Sequence, residues 1–267
     1  MLLFPLASIS SLSVLNRGGQ VAVELDADGF EESLDARFAR MKQEMTLVLA
    51  DIRSGAEPAA RLSRRNFVLL LYSYWEAIVK ESVKDYICLV ESLAPHYSQL
   101  SPALCLAHHR KRFSKQTRSL RSAELTSSFE AYRGFRDRLA LGDKPDLYDD
   151  ELFGADSNLS SKVLERVLLW SGLPLPTLEL PRQDPRQLAS KKISPIAHRV
   201  EYHYSWETVS KFLDLFLYAR NQLAHSALND PPNFELCQFY NMFIGGLLDW
   251  FANSLRDAVD QELWKLS

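Results

Sequence analysis

From Leu62 to Leu93 the chain runs without a Gly or Pro, and the middle of that stretch is apolar nearly all round. A helix that lacks a polar face cannot lie on a surface, so this one belongs at the centre of a bundle. Ser63 is a candidate N-cap and Pro95 the stop. Glu76 is the exception within the apolar wall. A carboxylate there needs a cation, and Arg220 is the candidate across the bundle.

The remaining elements fit around such a centre. Phe30 to Arg53 reads as an amphipathic helix, with Leu34, Phe38, Met41, Met45 and Val48 at three- and four-residue steps, ended by Gly55 and Pro58. Leu159 to Leu169 reads as a short helix capped by Asn158 or Ser157. Leu173 to Ser194 carries Pro174, Pro176, Pro181 and Pro185, with Pro195 just beyond, and is expected to run extended over the bundle. A last helix is expected from Phe234 to about Leu263, where Gly245 and Gly246 would allow close helix approach. Residues 1–28 read as an N-terminal arm, with a strand-like alternation over Val21 to Leu25. Met1 to Leu15 lacks the basic residue that precedes the apolar run of a signal peptide. Residues 29–267 then form a single domain. The fold class is all-α: an antiparallel helical bundle with extra connecting helices and an extended Pro-rich segment.

Charge narrows the function classes. A formal net charge of −3 gives no global attraction to nucleic acid, so polyanion binding must come from a local patch. One run supplies it: His108, His109, Arg110, Lys111, Arg112, Lys115, Arg118 and Arg121 lie in a stretch without an acid. It is either a track for a phosphate backbone or a solvated helix face. Gly142 to Asp156 is an acidic connector without calcium-loop spacing. Cys88, Cys105 and Cys237 are odd in number and match no zinc motif, so the expectation is free thiols, a reducing cytoplasm, and no metal or cofactor. No apolar run reaches the ~20 residues of a membrane helix, so no membrane partner is expected.

Tyr204 to Ser226 reads as one helix begun by Ser205. Val209, Leu213, Phe216 and Arg220 fall on one stripe; Asp214, Tyr218, Asn221 and His225 fall on the next. The apolar stripe, which could extend to a partner, thus ends in an Arg that must meet a carboxylate, a second chain or a phosphate. His225 is the nearest group that titrates near neutral pH. Taken alone, such an Arg is commonly the structural partner of a Glu, and such a His commonly caps a helix.

The hexamer Arg220-Asn221-Gln222-Leu223-Ala224-His225 resembles the Arg-Asn-x-x-x-His signature of the HEPN superfamily (higher eukaryotes and prokaryotes nucleotide-binding). Ala36 to Met45 and Leu69 to Lys80 resemble the first two helices of its MAE-type branch, and Ser157 to Leu164 its mid-chain segment. The four stretches lie in the family's order over roughly residues 30 to 260. The resemblance implies a metal-independent RNA endonuclease of a toxin–antitoxin or antiviral defence system, with an antitoxin or regulatory partner protein. It also implies a homodimer whose signature helices meet in one composite cleft. On that reading Arg220, Asn221 and His225 are catalytic, Glu76 and Tyr218 are supporting, and Arg110, Lys111, Arg112, Lys115 and Arg118 bind RNA. Ala227 stands where some toxin members carry a Tyr that a partner enzyme modifies, so that control is not expected here. The alternative is a non-catalytic helical module that binds a partner protein or nucleotide.

Metal-free cleavage asks for a proton acceptor at the ribose 2′-OH, a cation at the phosphorane and a proton donor at the leaving oxygen. An imidazole and a guanidinium can supply these. Arg220 and His225 lie about 140° apart around a regular helix, so one copy does not aim both at a single phosphate.

Overall fold

In the computed structural model, residues 13–15, 21–23, 26–94, 96–105, 147, 158–181, 201–225 and 230–266 are described. The basic run, with the expected RNA-binding residues Arg110, Lys111, Arg112, Lys115 and Arg118, lies outside them. So do the acidic connector apart from Leu147, and residues 182–200.

The described residues form a mostly helical bundle with two short antiparallel strand pairs. In chain order the elements are β1 (Ser13–Leu15), β2 (Val21–Val23), α1 (Ala27–Ser54), α2 (Ala59–Leu93), α3 (Ser161–Trp170), β3 (Leu178–Pro181), β4 (Glu201–Tyr204), α4 (Trp206–His225) and α5 (Phe234–Asp260). β1 pairs with β2 and β3 with β4, the latter placing Leu178 opposite Tyr204. No helix among the described residues is long and apolar enough to cross a membrane.

α2 is the central helix, packed against α1, α4 and α5. Over its middle the exposed positions shrink to Ser73, Ala77, Glu81 and Lys84, a stripe one residue wide. Phe67, Val68, Leu71, Tyr72, Trp75, Val79 and Val83 are fully buried, as the all-round apolar pattern requires. α1 contributes Phe30, Leu34, Phe38, Met41 and Met45, and Arg37 ties it to α2 through Asp85 at 2.6 Å and Glu81 at 3.2 Å. Aromatic contacts join α4 to α5, with Phe216 and Tyr240 at 4.9 Å and Phe212 set edge-on to Phe239 and Phe243. Val209, Leu213 and Phe216 have no exposed surface. The stripe that could have extended to a partner is spent within the protomer's own core.

Helix ends differ from expectation where polar first turns hide them from an apolar count. α1 starts at Ala27 because Asp26 accepts from the Gly29 amide at 2.8 Å. α2 starts at Ala59 behind Pro58. Ser63 is no cap; its hydroxyl donates to Asp51 at 2.8 Å and ties α2 to the end of α1. The cap of α3 is Ser160, which accepts from Val163, rather than Asn158 or Ser157. That helix stops at Gly172, whose φ of +71° suits a residue without a side chain. α5 is capped by Asn233 and ends at Asp260, short of Leu263.

The Pro-rich stretch is extended as far as Pro181, and its strand β3 lies on α5. A Cβ at Gly246 would sit 3.1 Å from the Leu180 side chain, whereas nothing lies within 4 Å at Gly245. The close approach that this glycine pair allows is to a strand rather than to another helix, and only Gly246 serves it. Cys88, Cys105 and Cys237 are free.

Candidate active site

The signature sits at the C-terminal end of α4, and α2 runs beside it in the opposite direction. Tyr72 lies against Phe216 at 6.1 Å between centroids, and the Arg65 guanidinium donates to the Leu223 carbonyl. The two contacts are seven residues apart on each helix, in opposite senses, which makes the pair antiparallel and puts the start of α2 next to His225.

Arg220 is partly buried and meets no carboxylate among the described residues. Its Nη1 donates to Asn221 Oδ1 at 2.9 Å and to Asn158 Oδ1 at 3.3 Å. Its guanidinium lies over the Tyr72 ring, 4.7 Å from the centroid, a contact that stabilises a cation without neutralising it. The Nη2 and Nε donors have no partner among the described residues.

The expected pairing of Glu76 with Arg220 is not made. Glu76 instead takes Lys80, one turn along the same helix, at 2.6 Å. An i,i+4 pair needs no partner across the bundle, and Glu76 is 23% exposed, so water shares its charge.

Tyr72 is the hub of this end of the bundle. Its side chain is fully buried, and its hydroxyl accepts from the Leu159 amide at 2.7 Å. Burial first, and then the negative charge of Glu76, push its pKa up to about 12, so the phenol stays protonated at neutral pH. Asp214 fixes the same segment by accepting from the Ser161 amide at 3.1 Å and the Ser161 hydroxyl at 2.7 Å. Asn158 to Ser161 is therefore stapled to α2 and α4, and this is what brings Asn158 to Arg220.

His225 is the last residue of α4 and is exposed, with no hydrogen bond or ion pair to a described residue. Tyr218 is 63% exposed and makes no ring contact with a described residue. Asn221, expected to orient the imidazole or the phosphate, spends its carbonyl oxygen on Arg220. Sequence reasoning missed three contributors: the Tyr72 ring, the Asn158 amide and Arg65. An antiparallel alignment of α2 with α4 would have pointed to Arg65, since the residues opening one helix then face those closing the other.

Chemically the arrangement holds a partly buried guanidinium fork, paired with no described carboxylate, and an exposed imidazole at the end of the same helix. The fork suits the non-bridging oxygens of a phosphate, and the imidazole suits proton transfer. Among the described residues no three His, Cys, Asp or Glu side chains are grouped to hold a metal ion.

No curated protein and no solved structure matches the chain. The model of the MAE-like HEPN family matches residues 30–264, nearly the whole length, and includes all four stretches that carry the resemblance. With the helical bundle and the intact Arg220-Asn221-x-x-x-His225 signature, the chain belongs to the MAE-like HEPN family.

Proposed function

We propose that the protein is a metal-independent RNA endonuclease of a toxin–antitoxin or antiviral defence system, cytoplasmic, and active as a homodimer with a composite Arg/His site. The observation that carries this reading is the state of Arg220: gripped by two amide oxygens and an aromatic face, yet with its charge unpaired by any described carboxylate. A merely structural arginine in a bundle would meet an acid. The family is generally associated with ribonuclease activity, which supports the same reading.

In the proposed reaction His225 takes the proton of the ribose 2′-OH, and the 2′-oxygen attacks the adjacent phosphorus. The phosphorane's charge is met by Arg220, whose Nη2 and Nε donors have no partner among the described residues while Asn221 and Asn158 hold Nη1. The bond to the 5′-oxygen then breaks, and that oxygen takes up a proton, from water or from the His225 imidazolium, which returns to its neutral form. The products are a 2′,3′-cyclic phosphate and a 5′-hydroxyl. The angle between Arg220 and His225 requires that they come from different protomers to meet at one phosphate. The basic run holding Arg110, Lys111, Arg112, Lys115 and Arg118 is the proposed RNA track, and an antitoxin or regulatory protein is the proposed partner.

The test is cleavage of single-stranded RNA in excess chelator by wild type and by His225→Ala protein of unchanged helicity. Activity that survives chelation, ends in a cyclic phosphate and is lost with His225 supports the reading; wild-type cutting by His225→Ala refutes it. Mixing inactive Arg220→Ala with inactive His225→Ala protein addresses the shared site. A heterodimer keeps one Arg and one His from opposite chains, so partial recovery is expected. A species that cuts RNA while sedimenting only as a monomer would remove the composite site.

A further inference from the structure

We infer that Arg65, near the start of α2, is the positioning residue for His225. This rests on the reading of His225 as the proton-transfer group, and the experiment below separates the two.

His225 is the last residue of α4 and its side chain is exposed, so the described residues offer no direct contact to aim the ring. What aims it is the backbone of the last turn. That turn is the weak point of any helix, because its final carbonyls have no amide to accept from and the end frays. Here the Leu223 carbonyl, two residues before His225, accepts from Arg65 Nη2 across the helix pair. The donor is a cation placed at the negative end of the helix dipole, where its charge and its hydrogen bond act together. Leu223 itself is buried, at 2% exposure, so the anchored residue is also packed.

Arg61, one turn earlier on the same face of α2, pairs with Asp230. Two arginines at i and i+4 thus hold the chain on both sides of His225, one before it and one after it. Asp230 is 85% exposed, so the outer pair is the weaker of the two, and Arg65 carries the positioning. Neither arginine belongs to the signature. Arg65 acts through the backbone and touches none of the reacting atoms. A proton-transfer group must lie within hydrogen-bond reach of the proton it moves, so loss of this anchor should appear in turnover rather than in binding.

Steady-state cleavage of a single-stranded RNA by the full chain is compared for wild type, Arg65→Met, Arg65→Lys and His225→Ala. Amide hydrogen exchange of residues 222–225 is followed on the same proteins. Arg65→Met keeps much of the stem's bulk but loses the donor. It is expected to lower kcat by about 10- to 100-fold, to leave KM within about twofold, and to speed exchange in the last turn while core amides stay protected. Arg65→Lys restores a cationic donor and is expected to recover most of kcat. A loss confined to KM would make Arg65 an RNA contact and overturn the inference, as would unchanged kcat or unchanged exchange. If Arg65→Met does not fold, Arg65→Ala, which also lacks the donor, takes its place with the same expectations. Should His225→Ala cut like wild type, the catalytic reading of His225 fails. The exchange of the last turn then still decides whether Arg65 holds it.

Discussion

Replacing Tyr72 by Phe and by Leu separates two jobs that one side chain performs. The hydroxyl accepts the Leu159 amide at 2.7 Å where both residues are fully buried, and the ring carries the Arg220 guanidinium at 4.7 Å. Tyr72→Phe keeps the ring and strands a buried N–H, at a cost of about 1–3 kcal/mol. At about 2–4 °C per kcal/mol for a domain approaching this size, the melting temperature should fall by roughly 2–12 °C. Cleavage by the folded Phe variant should stay within about twofold of wild type, because the cation still has its aromatic face. Tyr72→Leu removes that face as well, a contact worth about 0.5–2 kcal/mol, which translates to roughly 2- to 30-fold in rate if all of it is lost from the transition state. The assay is kcat on RNA at a temperature where circular dichroism shows both variants folded, with melting followed in parallel. Equal activity of the Leu variant and wild type would refute the role of the ring. Equal loss in Phe and Leu would assign the effect to the hydroxyl and the Asn158–Ser161 segment that it holds.

Two further expectations concern stability. Gly245→Ala, with open space around the new Cβ, should stabilise α5 by up to about 1 kcal/mol, whereas Gly246→Ala should stay within about 0.5 kcal/mol of wild type because the Leu180 side chain at 3.1 Å must give way; urea midpoints of the two variants check this. Burial raises the pKa of Cys237, Tyr240 and Tyr72 to about 12. A raised acid keeps its proton longer in the folded state, so this contribution is complete below the ordinary values near 9 and 10 and is lost as pH rises towards 12. Unfolding midpoints should therefore decline above about pH 9, and Cys237→Ala should lessen the decline between about pH 9 and 10 without abolishing it, since burial also raises the Cys88 and Cys105 thiols. A flat profile to pH 11 would count against this account.

The helices were legible because their apolar spacing is long and uninterrupted, and α2 at the centre followed from a stretch with no polar face. Their starts were less so. Asp26, Pro58 and Ser160 open helices whose first residues are polar or small, and periodicity counts from the first apolar residue inward. The close approach at Gly246 was legible as a close approach; its partner was not, because pairing of β3 with β4 depends on residues far apart in sequence. At the site, the signature marked Arg220, Asn221 and His225 as the residues to inspect. It did not supply Tyr72, Asn158 or Arg65, which reach α4 only after the bundle has closed.

The mistaken partner for Glu76 shows where charge reasoning from sequence fails. An inward Arg on one helix and a Glu in the apolar wall of another were matched by sign, but sign is satisfied most cheaply at short range, and Lys80 stands one turn away. With the acid occupied, Arg220 settles on groups that hold a cation without cancelling it: an aromatic face and two amide oxygens. The same logic bears on assembly. Val209, Leu213 and Phe216 are used up inside the protomer, so a second copy approaching α4 finds no apolar stripe there. It meets Lys211, Asp214, Tyr218, Gln222 and His225, the exposed side of the helix. Any dimer built on the signature helix must therefore be cemented by polar and aromatic contacts around the residues proposed to do the chemistry, so substitutions that weaken pairing on this face should change turnover as well.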